Sequence, residues 1–253
     1  MYARRVGKEV LDFGHRGWLY EESFLFYDHK TDSLWVQATG QAVYGPYKGT
    51  RLARLPATQT PWSEWRRRHP DTLVLGRPPG LTARYWEDSY DTYYATGRGI
   101  RYRRDQPLTF GLALVLPDVQ KLYPFAEFDD KQIVHDRVGG VPVLIVYLPA
   151  SRTALAFDRR QDGEVLKFKV VQSGEREVKL ADRSTGSIWT GSTGRCVSGP
   201  RQGAWLRQLI STQFVVENWP LHYPQAPVYR SARRPASQRQ KATPADQPAS
   251  PRD

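Results

Sequence analysis

The sequence predicts a mainly β fold with a few short helices, arranged as two pseudo-symmetric repeat lobes of which the first is incomplete at its N-terminus. Two observations carry this prediction. Tyr, Trp, Val, Thr and Gly are common while long helix-forming runs are scarce, and this balance favours strands and turns. The sequence also repeats itself at an offset of 154 residues. With 40% apolar residues in 253, the chain can build a core of ordinary size.

The internal repeat is the strongest signal. Residues 28–70 match residues 182–224 without a gap, and more than a third of the positions are identical. Upstream, Gly7–Phe13 resembles Asp162–Phe168 at an offset one residue larger. The stretch that precedes this match in the second copy has no counterpart after Met1. We therefore expect one complete unit and the back part of another, and we favour N-terminal truncation over a partial duplication.

Four segments follow from the repeat. Residues 1–75 form the back part of the first unit and residues 108–225 form a complete second unit. Residues 76–107 are a connector rich in Tyr and Arg. Residues 226–253 are a basic tail of Pro, Ser and Gln, which we expect to be disordered because it has too little apolar surface to bury.

Alternation and turn residues place the elements in order. The first unit has aromatic-rich strand segments, then a turn at 31–33, two short strands, and a helix opened by Thr60 as N-cap with Pro61 at its first position and closed by His69 and Pro70. In the second unit, Asp136–Gly140 is expected to be a turn between strands. The predicted strands are Val10–Phe13, Trp18–Tyr27, Leu34–Ala38, Ala42–Tyr44, Leu112–Leu116, Val141–Leu148, Ala154–Phe157, Val165–Val171 and Glu177–Ala181.

The charge and the cysteine content bear on which partners and which covalent links the protein could have. The net charge is +11, and the residues beyond Pro227 contribute +4, six basic residues against two acidic ones. A basic protein can meet nucleic acid or another polyanion, but no nucleic-acid-binding motif accompanies the charge, so such a partner is not favoured. The single Cys196 cannot form an intramolecular disulfide and is expected to be a buried apolar residue. No apolar run is long enough to span a membrane, and residues 1–5 lack the apolar core of a signal peptide, so the compartment stays open.

A few residues are candidates for a catalytic or cation-binding site. His69, or His135 beside Asp136, could serve acid–base chemistry, although a histidine beside an aspartate in a turn is the commoner explanation. Glu127 with Asp129, Asp130 and Asp136 could gather oxygens for a cation, but solvated loop acids explain them as well. No metal site and no cofactor is predicted.

The connector offers the better ligand surface. Interleaved tyrosines and arginines can stack on bases and contact phosphates, or can simply pack one lobe against the other. The candidates are Tyr85, Tyr90, Tyr94, Arg101 and Arg103.

The repeated motifs have structural explanations. The Gly-Pro-x-x-Gly sequences at Gly45 and Gly199 lack the residues of a phosphate loop and predict turns. Trp35 and Trp189, and likewise Trp65 and Trp219, occupy matching places and are interpreted as core residues, with a stacking platform as the alternative.

The same residues resemble a known family. The run from Ser33 to Thr72, with Ser-Leu-Trp, Gly-Pro and Trp-x-x-Trp followed by His-Pro-Asp-Thr, is similar to the domain-of-unknown-function 3179 family, and the similarity extends over about residues 6–224. Members share the internal pairing, and the family has no established activity. Members often carry a Cys-Pro-x-Cys element after one strand and a His-Glu before another, and the second unit here reads Tyr147–Ser151 and Lys131–Asp136 instead.

Three functions remain open from the sequence. The favoured one is a non-catalytic binding or scaffold module. The alternatives are an enzyme with its site in the cleft between the lobes, and a polyanion or nucleic-acid binder acting through the basic connector and tail. Whether the protein is an enzyme stays uncertain, as do its ligand and its oligomeric state.

Overall fold

The structure is a computed structural model that describes residues 1–74, 76, 109–128, 132–174 and 176–231. Antiparallel strands dominate it, and its helices are short. The predicted mainly β fold with two repeat lobes is confirmed. None of the helices in the described ranges has the length and apolar character needed to cross a membrane.

The first unit is built on one four-stranded sheet. Its strands pair in the order β3-β4-β5-β6, all antiparallel, and a small hairpin of β1 and β2 precedes them. The elements are β1 (Arg5–Val6), β2 (Glu9–Val10), β3 (Phe13–Tyr20), β4 (Ser23–Asp28), β5 (Leu34–Val36), β6 (Ala42–Tyr44) and helix α1 (Trp62–Arg68).

The second unit repeats this plan and adds strands before it. The added part is β7 (Phe110–Val115), β8 (Gln120–Pro124), β9 (Ile133–Val138), β10 (Val141–Leu148) and β11 (Thr153–Asp158). The repeated part is β12 (Arg160–Gln161), β13 (Glu164–Val165), β14 (Phe168–Gln172), β15 (Lys179–Asp182), β16 (Ile188–Thr190), β17 (Arg195–Ser198) and helix α2 (Trp219–His222). Before α2 the second unit also has β18 (Ser211–Val215), whose counterpart in the first unit is not a strand.

Three sheets form the layers of the second unit. The β9-β10-β11 sheet lies in the middle, because alternate residues of β10 enter two different cores. Leu144 and Val146 pack towards the β14-β15-β16-β17 sheet, while Val143 and Ile145 pack towards the β18-β7-β8 sheet. A strand with both faces covered has a continuous apolar sequence, and this explains the uninterrupted run in β10.

The first unit has a smaller core made of matching residues. Leu11, Trp35, Ala42 and Leu52 are buried there, and the same positions in the second unit hold Leu166, Trp189, Cys196 and Leu206. In the second unit the cluster also contains side chains from β10 and β11. The described residues of the first unit include no counterparts of β7 to β10, so its core is correspondingly thinner.

The repeat extends to individual close contacts. Gly40 and Gly194 have φ of +69° and +73°, and a Cβ on either would lie within 3 Å of an aromatic ring, Tyr2 in one unit and Phe157 in the other. Both features require glycine at this position, since it alone adopts positive φ without strain and leaves room for the ring.

The predicted helix start is wrong by one position. Helix α1 begins at Trp62, and Pro61, with extended ψ of 147°, is the flanking residue. No side chain caps the helix, because the Thr60 hydroxyl accepts a hydrogen bond from Thr153 of the second unit instead. The predicted end at His69 is confirmed.

The predicted strand Trp18–Tyr27 is also wrong, because Glu21 and Glu22, with φ of +48° and +58°, form a turn between the paired strands β3 and β4. Two predicted elements of the second unit differ as well. Asp136 lies inside β9, paired with Val143, and only Gly139 and Gly140 form the turn, because their φ angles are +53° and +77°. The predicted strand 165–171 is split after Val165, because its first part pairs with β12 and its second part with β15.

The prediction that the repeated tryptophans are core residues is wrong for Trp65. Its side chain is 37% exposed, whereas Trp219 is 2% exposed, because only Trp219 lies against β7 and β8. Trp35 and Trp189 are fully buried as predicted. The connector and most of the tail lie outside the described residues.

Candidate binding site between the two lobes

A cleft of about 600 Å³ opens where the first unit meets the second. Arg51 lines it from the first unit, in the segment that follows the turn after β6. The opposite walls come from the β7–β8 turn, residues 117–120, and from the end of α2 and the segment after it, residues 222–227. Cavities of roughly 300–1,000 Å³ are typical of small-molecule sites.

The walls from the second unit are held by local hydrogen bonds. The β7–β8 turn is closed by the Leu116 amide, which donates to the Val119 carbonyl at 3.0 Å. The segment after α2 is fixed by the Trp219 indole, which donates to the Ala226 carbonyl at 3.1 Å. Pro117, Pro224 and Pro227 restrict the backbone further. The cleft is therefore preorganised on this side.

Arg54 joins the two lobes beside the cleft. Its Nη2 donates to the Tyr223 hydroxyl at 2.7 Å and to the Ala38 carbonyl at 2.6 Å. Its guanidinium also lies over the ring of Tyr2, 5.2 Å from the centroid. The hydrogen bond to Tyr223 holds Arg51, three residues earlier in the chain, close to the wall formed by the second unit.

Burial keeps the tyrosine and histidine side chains around the cleft uncharged at neutral pH. Burial raises the pKa of Tyr2 to about 12, although Arg54 opposes the shift, and burial likewise raises the pKa of Tyr223. Burial lowers the pKa of His222 from its ordinary value, with a hydrogen bond to the Glu21 backbone acting against it. At neutral pH His222 is thus neutral and can donate or accept a hydrogen bond.

Arg51 and Asp118 supply the formal charges of the lining. Both are exposed residues, and Arg51 is held by one hydrogen bond from its Nη2 to Gln41 at 3.0 Å. A guanidinium with free donors is well suited to a carboxylate or phosphate. The cleft therefore offers one guanidinium, one carboxylate, neutral hydrogen-bonding groups, and proline and tyrosine walls.

Neither a metal-ligand cluster nor a reactive cysteine occurs in the part of the chain that the structure describes. No group of three or more His, Cys, Asp or Glu side chains that could hold a metal ion occurs in the described ranges. Cys196 is buried in the core of the second unit, and burial raises the pKa of its thiol, so it is a poor nucleophile there.

The histidines considered from the sequence do not line the cleft. His69 lies at the end of α1 with its ring 4.2 Å from that of Trp65. His135 accepts a hydrogen bond on Nε2 from the Phe168 amide at 3.0 Å. Burial, with nearby cationic side chains, lowers its pKa to about 4, so it supports the backbone of β14 as a neutral ring.

Asp136 belongs to a separate polar cluster on the opposite face of β9. Its Oδ2 accepts hydrogen bonds from Lys121 Nζ and from the Tyr123 hydroxyl, both at 2.7 Å. Burial raises the pKa of this carboxyl, but these hydrogen bonds outweigh burial and hold the pKa below its ordinary value. The structure therefore does not bring Asp136 and His135 together as an acid–base pair.

The remaining residues considered from the sequence are the acidic side chains near Glu127, the connector residues and the two Gly-Pro turns. Glu127 accepts hydrogen bonds from the backbone and side chain of Ser231, whereas Asp129 and Asp130 lie outside the described residues. The connector candidates also lie outside the described residues: Tyr85, Tyr90, Tyr94, Arg101 and Arg103. Gly45 and Gly199 form turns, as predicted.

The sequence predicts a cleft between the lobes but not the residues that line it, because these residues differ between the repeats. Arg51 corresponds to Trp205, and Tyr223 corresponds to His69. A search guided by repeated residues passes over such positions. The one available signal was the proline-rich run at 224–227, which marks a rigid segment without naming its role.

These features define an internally duplicated, mainly β protein with a cleft between its repeats. The family model described as "Protein of unknown function (DUF3179)" matches the chain twice, at residues 1–111 and 110–244. The chain belongs to this family, and the resemblance drawn from its motifs is confirmed. Neither the curated proteins nor the solved structures include a match.

Proposed function

We propose that the protein is a non-catalytic binding module whose cleft between the lobes takes a small anionic ligand. The observation that carries this proposal is the placement of Arg51, from one unit, opposite His222 and Tyr223, from the other, across a cavity of about 600 Å³. A ligand in this cavity would contact both repeats. A carboxylate or phosphate would meet the guanidinium, and a polar body would meet His222.

The enzyme alternative is less well supported by the geometry. The residues that line the cleft include neither a cysteine nor a serine that could act as a nucleophile. Bound ligand that stays chemically unchanged therefore supports the proposal, and its conversion in the presence of the protein would favour the enzyme alternative.

The experiment uses the full chain and four probes: acetate, succinate, citrate and inorganic phosphate. Each is titrated while the ring signals of His222 and Tyr223 are followed by NMR. We expect saturable shifts with at least one probe and an unchanged ligand spectrum over hours. Arg51→Gln should weaken binding about tenfold, since it removes one charge-assisted contact of about 1.4 kcal/mol.

Arg5→Gln is the matched control, because Arg5 is an exposed arginine of the same unit that does not line the cleft. It should leave the affinity unchanged. Absence of saturable shifts with all four probes, or equal losses in both variants, would contradict the proposal.

A further inference from the structure

The helix that ends each repeat has the same internal geometry in both units. The ring of Trp65 lies 4.2 Å from that of His69, and the ring of Trp219 lies 4.5 Å from that of Tyr223, which is the matching position. The Trp65 indole donates to Thr72 at 2.9 Å, and the Trp219 indole donates to Ala226, again the matching position. The two tryptophans are thus placed alike within their units.

Their surroundings differ because one helix is covered and the other is open. Trp219 packs with Ala113 of β7 and Leu122 of β8. In the first unit Trp65 is 37% exposed and Trp62 is 50% exposed. Leu55 follows the same trend, at 41% exposed against 3% for its counterpart Leu209. An apolar face that is core in one repeat is therefore surface in the other.

The segment that precedes each helix shows the same contrast. In the second unit β18 pairs antiparallel with β7, from Ser211 opposite Leu114 to Val215 opposite Phe110. The counterpart of β18 is the segment 57–61, which keeps the Thr-Gln pair at Thr58 and Gln59. It forms no strand, and residues 57–60 make no backbone hydrogen bond to another residue in the described ranges.

We propose that residues 57–60 and the exposed face of α1 form a docking surface for a β-hairpin of the β7–β8 kind carried by a partner polypeptide. The first strand of the partner would pair antiparallel with residues 57–60, as β7 pairs with β18. Its small and branched apolar side chains would cover Trp65 as Ala113 and Leu122 cover Trp219. This mode is strand addition at an open edge, in which backbone hydrogen bonds and side-chain pockets act together.

This surface is distinct from the ligand cleft. None of the residues that line the cleft belongs to 57–60 or to α1. Side chains of this segment also fix its position on the second unit, because Thr58 accepts from Gln208 at 3.1 Å and Thr60 accepts from Thr153 at 3.0 Å. The segment is therefore held in place by its side chains before its backbone edge is paired.

The test uses the full chain and a synthetic peptide with the sequence of residues 109–124, fluorescently labelled. We expect saturable binding by anisotropy and new hydrogen-exchange protection at the amides of residues 58 and 60. Trp65→Ala should weaken binding at least tenfold. Trp205→Ala is the matched control, because Trp205 is also a half-exposed tryptophan and lies outside this surface; it should leave the affinity unchanged.

A second peptide, with Ala113→Asp and Leu122→Asp, keeps the test valid if a protein variant loses stability. It should fail to bind the unaltered chain. The proposal is overturned if the first peptide does not bind, if Trp65→Ala and Trp205→Ala bind it equally, or if protection changes only at residues 211–215, which would mean exchange with the protein's own β7.

Discussion

The indole Nε1 of Trp189 donates a hydrogen bond of 2.9 Å to Oδ2 of Asp182, and both side chains are almost fully buried. The same carboxylate accepts from the amide and hydroxyl of Thr185. Trp35 and Asp28 repeat the arrangement in the first unit at 3.0 Å. Burial raises the pKa of each carboxyl, but the hydrogen bonds outweigh it and hold the pKa below the ordinary value. The repeated motif is thus a buried, charge-assisted anchor for a turn.

Replacing this tryptophan tests the anchor. Trp189→Phe removes the indole donor and some ring volume, and leaves a buried carboxylate with one bond fewer. We expect a loss of about 2–4 kcal/mol in the free energy of unfolding, measured by chemical denaturation. Trp205→Phe, at a half-exposed position, should change it by less than about 0.5 kcal/mol. Equal effects in the two variants would contradict this role.

Asp158 gives an acid-dependent prediction. Its side chain is buried and hydrogen-bonded to Arg160 and Arg207. Burial raises the pKa of the carboxyl, but these hydrogen bonds outweigh burial and lower the pKa to about 2. The unfolded chain binds a proton near pH 3.8, so this stabilisation is complete above that pH and is lost as the pH falls towards 2. Between pH 4 and pH 2 the unaltered protein should lose about 2 kcal/mol of unfolding free energy that Asp158→Asn does not lose. Chemical denaturation at each pH measures this difference. A variant with an unaltered acid limb would be inconsistent with this.

His135 predicts a second pH effect, at higher pH. Its pKa of about 4 in the folded state lies below the ordinary value of 6.5, so the unfolded chain takes up the proton first. This contribution is present above pH 6.5 and declines as the pH falls from there to about 4. An NMR titration of the His135 ring measures the pKa directly. A midpoint near 6.5 would show that the ring is not held neutral by the fold.

Two glycines separate backbone strain from steric contact. Gly203→Ala introduces a Cβ that meets nothing within 4 Å, but φ is +90°, so we expect a cost of about 1–2 kcal/mol from strain alone. Gly194→Ala carries comparable strain and also places its Cβ 2.7 Å from the Phe157 ring. Its cost should exceed that of Gly203→Ala by at least about 1 kcal/mol in thermal or chemical unfolding. The reverse order would show that the Phe157 ring yields freely.

The basic tail predicts salt-dependent retention on a polyanion. Residues 232–253 hold five basic residues against two acidic ones and so carry +3. Deleting them should lower the salt concentration at which the protein leaves a heparin column, because fewer counterions are released on binding. An unshifted elution, or no retention at low salt by the full chain, would remove the polyanion alternative.

The sequence could predict the fold class and the repeat because both rest on local signals. The Asp-x-x-Thr-x-Ser-x-Trp pattern at Asp28 and Asp182 identifies the two anchored turns before any coordinates are known. The exposure of Trp65 could not be predicted in this way. It depends on whether a pair of strands like β7 and β8 covers the helix, as happens at Trp219. The local sequence predicts a short helix whether or not such strands are present.

The residues that line the cleft could not be predicted for a related reason. Arg51 and His222 are far apart in sequence and come together where Arg54 bonds to Tyr223 across the lobes. Pairings of this kind follow from tertiary packing, which single-sequence patterns do not encode. His135 illustrates the opposite error, since its neighbour in sequence, Asp136, points to the other face of the same strand.

The middle sheet of the second unit has a consequence for folding. Because each face of β10 contributes to a different core, neither outer layer can detach without exposing apolar residues of the strand they share. The three layers should therefore unfold in a single transition. A substitution that destabilises one outer layer should also destabilise the other. Mechanical or thermal damage to this unit would thus propagate through β10 rather than stay where it began.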